Sequence, residues 1–158
     1  MTIHCKELFE DTEFASLYPL IRQLNETLSE DEYAVRLQHM RADGYRCVGA
    51  YHKNTLVGAS GFWIGWRFWC GKYIDMDNFV VDASHRGKGI GRTLLTWLEE
   101  KGREEQCDQM VLDAYTTNFS ANKFYVQNNF LQLGYHMIKP LNAQGKLPDA
   151  AYQNRLRS

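Results

Sequence analysis

Apolar and polar residues alternate loosely from Ile3 to Leu8, the two-residue period of a strand. The period then lengthens: Phe14, Leu17, Leu20, Ile21 and Leu24 share one face of a helix over about 12–24, which Pro19 splits or kinks. Ser29 and Glu32 form a capping-box pair ahead of Tyr33, Leu37 and Met40 at helical spacing, with Gly44 as terminator. YRCVGAY, the turn HKN and TLVGASGFWIGW predict an antiparallel hairpin, and a third strand runs from Lys72 to Val81. Ile90, Leu94, Leu95 and Leu98 define a helix to about Glu105. QMVLDAY is a further strand, Phe119 to Gln127 a short helix opened by Asn118, and FLQLGYHMIKPL a terminal strand region. The order β, α, α, β, β, β, α, β, α, β predicts a mixed α/β fold, a mostly antiparallel central sheet flanked by helices.

Length and composition narrow the picture. At 158 residues the chain fits one domain, expected over 1–141, with a polar, loosely held tail over 142–158. Hydrophobic residues make up 44% and charged residues 23%, the balance of a globular protein rather than a disordered one. A net charge of -1 argues against a nucleic-acid or anionic-membrane partner, so any anion site must be local. MTIHCKELFED has neither a signal peptide's apolar region nor a transit peptide's Arg/Ser character, and no span suits a bilayer; the cytoplasm is the expected location. Cys5, Cys47, Cys70 and Cys107 show no C-x-x-C pair and no His at a ligand interval, which favours buried free thiols over a zinc site or disulfides.

One segment concentrates the missing positive charge. In VVDASHRGKGIGR, Gly87, Gly89 and Gly91 lie among His85, Arg86, Lys88 and Arg92, between a strand and a helix. A helix N-terminus offers N–H groups and partial positive charge, and glycine lets a phosphate reach the backbone. The dinucleotide fingerprint would need glycine in place of Arg92, and the Walker loop would need G-K-[ST]. Neither fits, and a structural cap is the alternative to a phosphate site.

Arg86-x-x-Gly89-x-Gly91 resembles the R/Q-x-x-G-x-G/A acyl-CoA motif of the GNAT superfamily of N-acetyltransferases. Asn118-x-x-Ala121-x-x-Phe124-Tyr125, followed by Asn129-Phe130, is similar to that family's N-x-x-A-x-x-[FL]-Y-x-x-x-G-F segment. Asn129 stands where the family usually has glycine, and Asn is the next-best residue for a left-handed cap. The likeness covers about residues 45–140. It implies acetyl-CoA as co-substrate, with the pyrophosphate on the backbone of Arg86, Gly87, Lys88, Gly89, Ile90, Gly91 and Arg92. It also implies a pantetheine arm along Phe79, Val80 and Val81, a polarising N–H near Val80, and contact with Asn118.

The implied acceptor is a primary amine of a small molecule or peptide. A lysine-like ammonium of pKa about 10.4 is neutral in only about one part in 2,500 at pH 7, equivalent to roughly 4.6 kcal/mol, so a carboxylate or a water chain must take its proton. Asp75 and Asp77 lie two apart on the third strand, on one face if it is regular, and Asp77 is the favoured base because it is nearer the implied thioester. Either could instead hold the ammonium or pair a loop. Tyr125 matches the motif tyrosine that the family uses as general acid toward the departing thiolate. Asp113 lines the amine pocket or is buried and hydrogen-bonded, and Tyr33, His39 and Tyr45 are acceptor candidates. Phe62, Trp63, Trp66, Phe68 and Trp69 either box a cation or, as strand spacing favours, pack against helices or a partner subunit, which would suit a homodimer. Two other function classes stay open: a catalytically silent acyl-CoA-binding sensor, and a nucleotide-sugar transferase holding a metal at D-x-D.

Overall fold

A computed structural model describes residues 1–142 and Gly145. The chain divides into two compact units, Met1–Leu112 and a second beginning at Asp113.

The first unit holds a five-stranded sheet in the order β1 (His4–Glu7), β2 (Arg46–His52), β3 (Thr55–Arg67), β4 (Gly71–Val81), β5 (Gln109–Leu112). All neighbours are antiparallel except β4 and β5, which run parallel. The helix expected over 12–24 is two: α1 (Asp11–Ala15) and α2 (Tyr18–Leu24). Pro19 sits in the first turn of α2, where a missing N–H costs nothing. α3 (Glu30–Ala42) opens with the predicted capping box of Ser29 and Glu32. Leu8, Phe14, Leu17, Leu20, Ile21 and Leu28 bury one side of the sheet together with Tyr45, Cys47, Ala59 and Val80.

The opposite side is closed by α4 (Ile90–Glu104), whose Ile90, Leu94, Leu95 and Leu98 are all buried, as their spacing predicts. Phe62 packs against Trp97 there, and Gly102 lets Ile74 approach the helix. Arg46 of β2 bonds Glu7 of β1 at 2.7 Å and Glu105 just past α4 at 2.5 Å, tying sheet to helix. All four cysteines are free; Cys47 and Cys70 are buried, while Cys5 and Cys107 are only half-buried.

The second unit holds α5 (Phe119–Gln127), with Asn118 capping it through a bond from the Ala121 N–H at 3.1 Å. The strand expected over 130–141 is absent: residues 130–142 form no strand. Leu131, Leu133, Tyr135 and Met137 keep the apolar alternation of one, yet each is more than 75% exposed. A strand needs a ladder as well as a pattern, and among the described residues no neighbouring backbone pairs with this segment. Apart from Asn142 and Gly145, the expected tail lies outside the described residues. Among the described residues no helix is long and apolar enough to cross a membrane.

Candidate active site

β4 is the strand on which the candidate chemistry converges. Ile74 and Met76 point into the core beneath α4, so Asp75 and Asp77 share the other face, as their spacing predicts. Their surroundings differ. Asp75 lies opposite Trp63 in the ladder and pairs with the Arg67 guanidinium at 3.4 Å, while Arg67 lies 4.3 Å above the Tyr73 ring. Asp77 lies opposite Gly61, and its Oδ2 accepts a bond from the Trp63 indole N–H at 3.3 Å.

The next residue breaks the strand's regularity. Asn78 has φ 50, and the ladder shifts so that Gly61 faces Asp77 but Ala59 faces Val80. Two residues of β4 therefore oppose the single Ser60, which defines a β-bulge. Ser60 is fully buried, and its hydroxyl donates to the carbonyls of Gly61 at 3.0 Å and Asp77 at 3.4 Å. Sequence alone did not reveal the bulge; the signal available was Asn inside a strand, since Asn tolerates the left-handed region. β5 pairs with β4 only over Tyr73–Met76. Asp77 to Val81 continue with β3 alone as strand neighbour.

Val81 leads into the glycine turn. Asp82 caps a 3-10 turn (Ala83–His85), and its carboxylate accepts bonds from Ser84 and from the Gln23 amide at 2.9 Å, with His85 at 3.0 Å. Those bonds, the Ser84 hydroxyl's first, hold its ionisation well below the usual carboxylate range. Gln23 also accepts from the Ala83 N–H at 3.0 Å, so α2 fixes the start of the turn. Nothing in the spacing of the chain pointed to Gln23. The Arg86 side chain donates to Val81 O and Lys88 to Ser84 O, which folds the basic side chains back over the loop.

Gly87 and Gly89 have φ +74 and +82, and no heavy atom lies within 4 Å of a Cβ built on either. Gly89 is the N-cap of α4, and no side chain caps that helix. The first turn of a helix has N–H groups with no intrahelical acceptor, so this junction presents donors over open space. Gly91 and Arg92 are the second and third residues of α4.

In the second unit, Tyr125 packs edge-on against Phe124 and Phe130, each with ring centroids 5.6 Å away. Burial pushes its hydroxyl up to about 12, which keeps it protonated at neutral pH. Asn129 has φ 68, and the N–H groups of Asn129 and Phe130 bond Val126 O and Tyr125 O. That is a Schellman cap, so the asparagine keeps the left-handed turn. Asp113 is hydrogen-bonded, as one of its two expected roles required, but it is not buried. β5 ends at Leu112, and the Asp113 carboxylate is exposed and bonded to His136 at 2.9 Å.

Among the acceptor candidates, Tyr33 gives its hydroxyl to Phe14 O at 2.6 Å and braces α1, while Tyr45 is buried against Trp63. Phe62 and Trp63 pack as strand residues should; Trp66, Phe68 and Trp69 do not, and lie exposed near the β3–β4 hairpin tip. Among the described residues no three His, Cys, Asp or Glu side chains are grouped to hold a metal ion.

The sequence profile of the acetyltransferase (GNAT) family matches residues 8–130. The chain belongs to the GNAT family. An uncharacterized N-acetyltransferase of Bacillus subtilis (strain 168), YhdJ, is 24% identical to this GNAT protein over 141 residues, covering 88% of this chain and 99% of that one. The thialysine N-epsilon-acetyltransferase of Bos taurus is 25% identical over 121 residues, 67% of this chain and 71% of the other. Among solved structures, AAC(6')-Iy in complex with the bisubstrate analog CoA-S-monomethyl-acetylneamine superposes with a TM-score of 0.77 at 16% identity, over 90% of this chain and all of that one. At that identity the likeness is one of fold. In this GNAT fold Asp75, Asp77 and the glycine turn lie in the first unit, and Asn118 and Tyr125 in the second.

Proposed function

We propose that this acetyltransferase moves an acetyl group from acetyl-CoA to a primary amine of a small molecule or peptide, by direct attack. The observation that carries the reading is the run of β4 from Asp77, beyond its last pair with β5, into a helix opened by two bare left-handed glycines. The residues present suit a CoA. Gly87 and Gly89 leave room for a pyrophosphate on the N–H groups of the α4 first turn, with Arg86, Lys88 and Arg92 supplying charge. Phe79, Val80 and Val81 lie beyond the last β4–β5 pair, where main-chain groups of the strand would meet a pantetheine arm. Asn118 completes the cofactor contacts that the motif implies.

Asp77 then removes a proton from the acceptor ammonium: the N–H bond breaks, an O–H bond forms on the carboxyl, and the freed lone pair attacks the thioester carbonyl. Asp75, neutralised by Arg67, shapes the approach of the cationic acceptor. The intermediate collapses as its C–S bond breaks: Tyr125, kept protonated by burial, gives its proton to the departing sulfur, and the tyrosinate takes the second proton from the nitrogen to leave the neutral amide.

Thermal unfolding with acetyl-CoA, desulfo-CoA, ATP, and a UDP-sugar with manganese tests the cofactor. At a hundredfold excess over Kd, acetyl-CoA should add about 2.7 kcal/mol, on the order of 5 to 10 °C for a chain of this size. Thiol release is then measured with thialysine, L-lysine, spermidine and an alanine-terminated peptide as acceptors. No shift at millimolar acetyl-CoA removes the reading; a shift without thiol release from any amine points to a silent binding module.

A further inference from the structure

The two carboxylates of β4 are chemically alike and two residues apart, yet they receive opposite partners. Asp75 meets a guanidinium, which neutralises it and competes for the lone pairs a proton would need. Asp77 meets an indole, a neutral group that donates one hydrogen bond and never accepts. Such a partner fixes one carboxylate oxygen without taking its charge, and leaves the other oxygen to receive a proton.

The indole is itself held. Trp63 lies against Tyr45 with ring centroids 5.2 Å apart and packs on the buried cluster beneath α1–α3. Tyr45 is 6% exposed, and its ring and hydroxyl lie over Gly61. Support therefore runs from buried Tyr45 through Trp63 to Asp77.

We propose that Trp63 is the positioning residue of the site: its indole N–H fixes the Asp77 carboxylate so that the second oxygen faces the acceptor nitrogen. This rests on Asp77 being the base, and the test separates the two ideas. In 15N-tryptophan-labelled protein, the Trp63 indole resonance, assigned by its loss in Trp63→Phe, should lie downfield of those of Trp66 and Trp69. It should move upfield in Asp77→Ala and stay in place in Asp75→Asn. In the thiol-release assay with the best acceptor of the four amines, Trp63→Phe should lower kcat by about 10- to 100-fold, with the acceptor KM and acetyl-CoA Kd nearly unchanged.

In an Asp77→Asn background the same substitution should have little further effect, because nothing is left to position. Should Trp63→Phe fail to fold, β-(3-benzothienyl)alanine at position 63 keeps the shape and deletes only the N–H. A kcat loss additive with that of Asp77→Asn, or an indole resonance indifferent to Asp77, overturns the positioning role and leaves the base in place. An undiminished Asp77→Asn enzyme overturns both, and thiol release absent from the unaltered protein with all four amines, beside a resonance that does follow Asp77, overturns the proposed reaction alone.

Discussion

At the scale of single residues, Gly61 shows how the site constrains positions that carry no chemistry. A Cβ there would fall inside the ring and hydroxyl of Tyr45, which is buried and stacked on Trp63 and so has nowhere to go. Gly61→Ala should destabilise the protein by about 1–3 kcal/mol, as overpacking does, read from the urea midpoint. In a Tyr45→Leu background the cost should fall below about 1 kcal/mol, since the two positions are in contact. Nothing in GFWIGW signalled this, because a glycine that makes way for a side chain sixteen residues earlier looks like any other strand glycine. Asp75 and Asp77 were legible as a pair on one face, but which cation or donor each would meet depends on ladder register, and period-two reasoning does not supply register.

Among the elements, the strand–turn–helix junction is the part the sequence announced most clearly. Three glycines between a β-branched run and an i, i+4 helix face have few other uses, and α4 begins at Ile90 as the pattern required. Gly89→Ala should cost about 1 kcal/mol from the left-handed φ alone, because the open space around it adds no clash. That corresponds to roughly 2–4 °C in thermal unfolding. If the turn holds pyrophosphate, the same variant should bind acetyl-CoA more weakly, while desulfo-CoA, which keeps the pyrophosphate, loses as much. Helix ends were read well because caps are local: Ser29 with Glu32, Asn118 and Asn129 all act where the sequence puts them. The strand expected over 130–141 failed for the converse reason. Its pairing partner is a property of the assembled sheet, and neither composition nor alternation contains it.

Across the whole molecule, acid is the condition that should loosen the fold first. Glu13 accepts bonds from Lys6 and from the N–H groups of Phe9 and Glu10, which lower its pKa from 4.5 to about 2, with the Lys6 contribution largest. Glu105 is lowered as well, chiefly by Arg46. A carboxyl with a depressed folded-state pKa contributes stability above its unfolded value and loses it as pH falls through the folded one. The urea midpoint should therefore be level from pH 7 to about 5 and fall between about pH 4.5 and 2. Glu13→Gln should be less stable at pH 7 and show a shallower fall. The bulge at Asn78 has a different consequence for the molecule as a whole. An extra residue in one strand leaves the inward and outward assignment of Val80 and Val81 as a chain one residue shorter would have it, so the core is indifferent to its presence. The distance along the chain from Asp77 to the glycine turn is not. Asn78 is a spacer that sets the reach along the chain from Asp77 to the glycine turn without asking the interior to repack.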